Sequence, residues 1–120
     1  MFTSNYIRAL FDLVYPRLCF SCNYKIINES EKYICYECLG EINLVSADRC
    51  RRCGIAQGPY STVSQAGCVM CKNVKLMFDG VYAVNRYAGA IRNLIQRFKY
   101  NGIESLSITL GDILIEGIKC

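Results

Sequence analysis

Three observations predict a small metal-stabilised α+β chain. Eight of the nine cysteines fall between residues 19 and 71 as four Cys-x-x-Cys pairs. The 120 residues contain no histidine. Helix-period apolar patterning flanks this Cys-rich stretch on both sides. The expected order is an N-terminal helix, a double cysteine-ligated ribbon, then a strand and two helices. Residues 1–16, 17–72 and 73–120 are the corresponding segments.

The first element is a helix over 4–15. Tyr6, Ile7, Leu10, Phe11, Leu13 and Val14 give it a wide apolar face, Ser4 or Asn5 can cap it, and Pro16 stops it. Its apolar face is expected to pack on the remainder of the chain. A membrane-surface helix is the weaker alternative, because Arg8 is the sole cation on its polar face. The apolar stretch from Ile7 to Tyr15 is too short to span a bilayer and carries no cleavage signal. A cytoplasmic location without membrane association is therefore expected. Thiols stay reduced there, which favours metal ligation over disulfides.

The pairs are Cys19/Cys22, Cys35/Cys38, Cys50/Cys53 and Cys68/Cys71, separated in turn by 12, 11 and 14 residues. Two residues between cysteines let one tight turn present two sulfurs, and a second turn closes a tetrahedral site. With no imidazole available, each site must be all-thiolate. Zinc is the expected ion, two per chain. Disulfides, a thioredoxin-like redox pair and an iron–sulfur cluster are the alternatives. Sequential pairing is favoured because short loops close at lower entropy cost. In that pairing Cys19, Cys22, Cys35 and Cys38 hold one ion, and Cys50, Cys53, Cys68 and Cys71 the other. An interleaved cross-brace remains open. Four thiolates leave no position for water, so these ions are structural, not catalytic.

The metal also changes the charge argument. The formal charge is +4 with neutral thiols. Each zinc–tetrathiolate centre carries two negative charges, so two centres cancel it. Net charge then gives no argument for nucleic acid, and only local patches count. Arg49, Arg51 and Arg52 surround Cys50. They can offset the centre's charge, or contact phosphate with Tyr24, Tyr33, Tyr36 or Tyr60 as stacking faces. Cys120 is unpaired and reads as a surface thiol or a truncation scar rather than a nucleophile.

Residues 54–67 are a turn-rich loop around Gly58-Pro59. Composition shifts near 72–77. Residues 78–87 (FDGVYAVNRY) read as a strand. Residues 88–100 read as a helix with Ile91, Leu94, Ile95 and Phe98 on one face and Gly102 as its C-terminal cap. Residues 103–118 read as a second helix, with Ile103, Leu106, Leu110, Ile113, Leu114 and Ile118 on one side. Arg92 and Lys99 fall on one side of the first of these helices, where they can reach a phosphorylated ligand or, with Arg97, form a solvated face.

An ordered string of residues resembles the ComF family of bacterial competence proteins. It comprises Tyr15-Pro16 before Cys19 and Cys22, Ile34-Cys35 with Cys38, Arg49-Cys50, Arg52-Cys53-Gly54, Cys68 and Cys71. It continues through Phe78-Asp79, Tyr87, Gly89, Arg92, Leu94-Ile95 and Phe98-Lys99-Tyr100 to Gly102. The resemblance implies a double zinc ribbon followed by a phosphoribosyltransferase-like α/β domain. It also implies a role in DNA uptake, on or beside incoming single strands, with a competence helicase as partner. The chain departs from the pattern in one respect. No two acidic residues are adjacent, and residues 107–112 (SITLGD) do not make a ribose-phosphate loop. The expectation is therefore an incomplete α/β domain without its active site, in a truncated or split member. No catalytic residue is assigned. The alternatives are one piece of a phosphoribosyltransferase completed by another segment, or a product without function. The apolar faces within 88–118 would then be exposed, packed on the ribbons, or used in self-association.

Overall fold

A computed structural model describes residues 3–28, 30–42, 44, 49–62 and 64–119, with the side chains of residues 3 and 4 excepted. The capping role expected of Ser4 and the thiol of Cys120 lie outside this set. The elements are α1 (Thr3–Val14), α2 (Tyr36–Gly40), α3 (Gly89–Tyr100) and α4 (Leu106–Lys119). The chain divides into two compact units, one from Met1–Ile42 with Tyr87–Gly111, the other from Asn43–Arg86 with Asp112–Cys120.

In the first unit, the chain reverses tightly after α1. Leu18 and Lys25 form an antiparallel bridge. The Cys19 amide donates to the Tyr24 carbonyl at 2.8 Å, and the Asn23 amide to the Cys19 carbonyl at 2.9 Å. The chain then returns through Phe20 and Tyr33, whose rings stack at 5.9 Å. Cys35 caps the short α2, its sulfur accepting from the Cys38 amide. The core gathers Cys19, Ile26, Ile34 and Cys38 from the ribbon with Ala90 and Leu94 of α3 and Leu106 of α4.

That core selects among the alternatives for one helix and corrects the expectation for another. Ala90 and Leu94 of α3 pack on the first ribbon, one of the arrangements left open for residues 88–118, while Phe98 stays exposed. The face of α1 does not pack. Tyr6, Ile7, Leu10, Phe11, Leu13 and Val14 are all exposed, since the core is filled by α3 instead. Periodicity located both faces but could not say which would be covered. Asn5 sits inside α1, which starts at Thr3, and does not cap it.

The second unit repeats the first reversal. Arg49 and Ala56 bridge in antiparallel fashion. The Cys50 amide donates to the Ile55 carbonyl, and the Gly54 amide to the Cys50 carbonyl at 2.8 Å. The buried cluster here is Cys50, Cys68 and Cys71, with Cys53 and Leu76 packed against it. Val84 and Ile113 are also buried in this unit, but a cluster with a single aliphatic side chain gains little from apolar burial, so the ribbon itself depends on the sulfurs and what they bind.

The strand expected over 78–87 is absent. Residues 81–84 carry no strand pairing, and the segment's one described pairing is the isolated bridge between Asn85 and Leu44. A strand needs a neighbour to satisfy its backbone, and the described residues offer none along its length. The two C-terminal helices are present, α3 close to its expected bounds and α4 shifted to 106–119. Gly102 adopts φ +65° just beyond the α3 cap, as a helix-ending glycine should. The turn before α4 is held by amide-to-carbonyl bonds from Leu106 to Ile103 and from Ser107 to Glu104, which places Ile103 outside the helix.

Candidate metal centres

Each centre is built from two turns. In the first turn of each, the residue after the second cysteine is left-handed: Asn23 at φ 62° and Gly54 at φ 77°. This conformation turns the chain back so that both sulfurs face inward. Glycine adopts it without steric cost, and asparagine is among the few other residues that tolerate it. A side chain at Gly54 would also meet Val81, a Cβ lying 2.8 Å from its Cγ1. The second turns differ. Cys35 and Cys38 sit at the start of α2, whereas Cys68 and Cys71 share a turn in which the Cys71 and Lys72 amides both donate to the Cys68 carbonyl.

These turns bring together Cys19, Cys22, Cys35 and Cys38, and separately Cys50, Cys53, Cys68 and Cys71. Within each set all four sulfurs lie within 4.8 Å of one another. Close sulfur pairs are Cys22 and Cys35 at 3.7 Å, Cys50 and Cys71 at 3.7 Å, and Cys53 and Cys68 at 3.6 Å. Four sulfurs at tetrahedral corners, each about 2.3 Å from a zinc ion, lie about 3.8 Å apart. The geometry therefore fits two zinc ions, and the pairing is sequential. All eight cysteines are free thiols, not disulfides.

The electrostatics suit a cation. Burial would raise the Cys19 thiol, but amides of Cys22, Cys35 and Ser21 donate to it and bring it down from 9.0 to about 7. The Cys53 amide is the main influence on Cys50. With help from the Arg52 and Cys68 amides and against burial, it lowers that thiol to about 6. Each set also holds thiols pushed up chiefly by burial: Cys38 in the first, and Cys71, at about 12, in the second. Four sulfurs so close cannot all be anionic without a positive centre, and a divalent ion supplies it.

The basic residues divide into two groups. The Arg49 guanidinium lies 3.4 Å from the Tyr82 ring centroid and donates to the Ala83 carbonyl. Arg52 donates to the carbonyls of Ala66, Cys71, Lys72 and Val74. Arg52 therefore ties the second ribbon together, and Arg49 ties it to the segment at 82–83. Arg51, Arg92 and Lys99 are exposed. Among the tyrosines, Tyr24, Tyr36 and Tyr60 present open faces, while Tyr33 is stacked on Phe20.

Sequence reasoning missed an open groove of about 520 Å³ on the second ribbon, with Arg51, Gln57, Ser61, Ser64 and Gln65 among its lining residues. The concentration of Gln and Ser in the 54–67 loop was its one sequence signal. Sequence reasoning also missed Asn93, which reaches from α3 to Ser21, and it assigned Arg97 to a solvated face, whereas Arg97 donates to Asn23 of the first turn.

A family model described as a double zinc ribbon domain matches residues 10–75, more than half of the chain. No curated protein and no solved structure matches the chain.

Proposed function

This chain belongs to the double zinc ribbon family, and on that premise we propose that it works as a non-catalytic module that binds single-stranded DNA through its second ribbon. The zinc ions are structural. They hold two ribbons rigid and leave the surface between the turns to make contacts. The observation that carries the reading is the pairing of exposed Arg51 with the groove it lines. Gln57, Ser61, Ser64 and Gln65 supply hydrogen-bonding groups there. Tyr60, between groove-lining Pro59 and Ser61, is 98% exposed and offers a stacking face. A cation in the groove and an open aromatic next in sequence to its lining suit a strand whose bases are unpaired, since each stacked base contributes roughly 1–3 kcal/mol.

The ordered residues from Tyr15 to Gly102 support a narrower placement as the front part of a ComF-like competence protein. In that role the module would accompany incoming single strands beside a helicase, in a reducing compartment such as the cytoplasm. No helix among the described residues is long and apolar enough to cross a membrane.

The test is fluorescence polarisation of a labelled single-stranded oligonucleotide against the zinc-loaded chain, over a range of salt. Binding should weaken as salt rises. Arg51→Ala and Tyr60→Ala should each weaken it further, with zinc content unchanged. Salt-independent binding, or wild-type affinity in both variants, would refute the reading.

A further inference from the structure

The two centres are not equally shielded. In the second, Cys50, Cys68 and Cys71 are buried and Cys53 is half-buried. In the first, Cys19 and Cys38 are buried, Cys35 is half-buried and Cys22 is exposed. Attack on a sulfur requires access to it, and thiolate character is common to all ligands of a zinc centre. Access therefore separates the ligands. The exposed sulfur also has a resolving partner within reach, since Cys22 and Cys35 lie 3.7 Å apart.

We propose that Cys22 is an oxidation site through which a peroxide opens the first zinc centre and releases α3 from the first ribbon.

The chemistry balances with hydrogen peroxide as the two-electron oxidant. The Cys22 thiolate attacks one peroxide oxygen. An S–O bond forms, the O–O bond breaks, and the departing hydroxide takes up a proton to leave as water. The resulting sulfenic acid is no longer a thiolate ligand. The Cys35 thiolate then attacks the Cys22 sulfur. An S–S bond forms, the S–O bond breaks, and a second hydroxide leaves as water after taking a second proton. Two thiolates, two protons and one peroxide thus give one disulfide and two waters. The sulfurs lose two electrons, the peroxide gains two, and zinc stays at +2. Cys19 and Cys38 remain, and two sulfurs do not retain a structural ion.

The consequence for α3 comes from the residues on either side of Cys22. On one side, the Asn93 side-chain amide donates to the carbonyl and hydroxyl of Ser21, both at 3.4 Å. On the other, Arg97 Nη2 donates to Asn23 Oδ1 at 2.9 Å. Cys19 and Cys38 share the buried core with Ala90 and Leu94 of α3. The turn that carries Cys22 is thus the turn that α3 holds, and the metal's loss unmakes the core beneath it. Oxidation is read out as a helix set free.

The experiment treats the zinc-loaded full chain with limiting hydrogen peroxide. It follows zinc with a chromogenic chelator, maps disulfides by peptide mass spectrometry, and measures amide exchange over 89–100. The first ion should leave with formation of a Cys22–Cys35 disulfide, and exchange in α3 should accelerate roughly tenfold or more as its local stability falls. Cys22→His keeps a zinc-compatible ligand and removes the exposed thiolate, so it should slow that first release roughly tenfold. The proposal is overturned if Cys53 or another second-centre cysteine oxidises first, or if both ions leave together. Unchanged protection of α3 once the disulfide has formed would also overturn it. The wild-type map decides the matter even if the histidine variant does not fold.

Discussion

Arg52 Nη1 donates to the Cys71 carbonyl at 2.8 Å, so a side chain from the first turn of the second ribbon holds the backbone of a ligand in the other. The same guanidinium reaches Ala66, Lys72 and Val74. One planar cation thereby gathers four carbonyls around a centre that would carry two negative charges. Arg52→Ala should cost roughly 1–2 kcal/mol, the lower part of the range for charged donors because the site is half-exposed. It should also speed zinc loss to a chelator from the second centre alone. Arg52→Lys should recover only part of this, because an ammonium cannot reproduce the fork. Thermal melts and chelator kinetics check both outcomes.

Leu94 is fully buried in the core that α3 shares with Cys19 and Cys38. Leu94→Ala should destabilise the first unit by about 3 kcal/mol, the loss expected for a buried leucine that leaves a cavity. Denaturant titration measures that loss. Because metal and helix stabilise the same core, the variant should also release zinc from the first centre faster than wild type.

Zinc retention should fall with acid. The Cys19 thiol lies at about 7 and the Cys50 thiol at about 6, both below the ordinary 9.0. A lowered thiol pKa stabilises the folded anionic form above that value, and the benefit is lost as pH falls through it. Metal binding shifts the loss to lower pH, because zinc competes with protons for the thiolates. Zinc should therefore leave as acid is added, and titration from about pH 8 to about pH 4 with a zinc readout checks this. Zinc content that does not fall with acid would count against it.

How much of this was legible in the sequence depends on the range of the interaction. The eight ligands could be read directly, because four Cys-x-x-Cys turns and the absence of histidine leave few chemistries open. Helices α3 and α4 were legible from their apolar spacing. The cover over the α3 face was not, since the residues it meets on the first ribbon lie far off in sequence. The strand over 78–87 was misread because Val and Tyr content marks a segment suited to pairing, and pairing needs a neighbour. Arg52 and Arg51 look alike by adjacency, yet one binds backbone carbonyls and the other faces solvent. Only the fold separates them. The five-residue α2 was too short to leave a periodic signal, and its cap is a metal ligand.

The most direct test of two independent structural centres is native mass spectrometry of the zinc-loaded chain beside a Cys35→Ser, Cys38→Ser variant. The wild-type chain should carry two zinc ions. The variant should carry one, held by Cys50, Cys53, Cys68 and Cys71. A wild-type chain with a single ion, or a variant that loses both, would contradict the account.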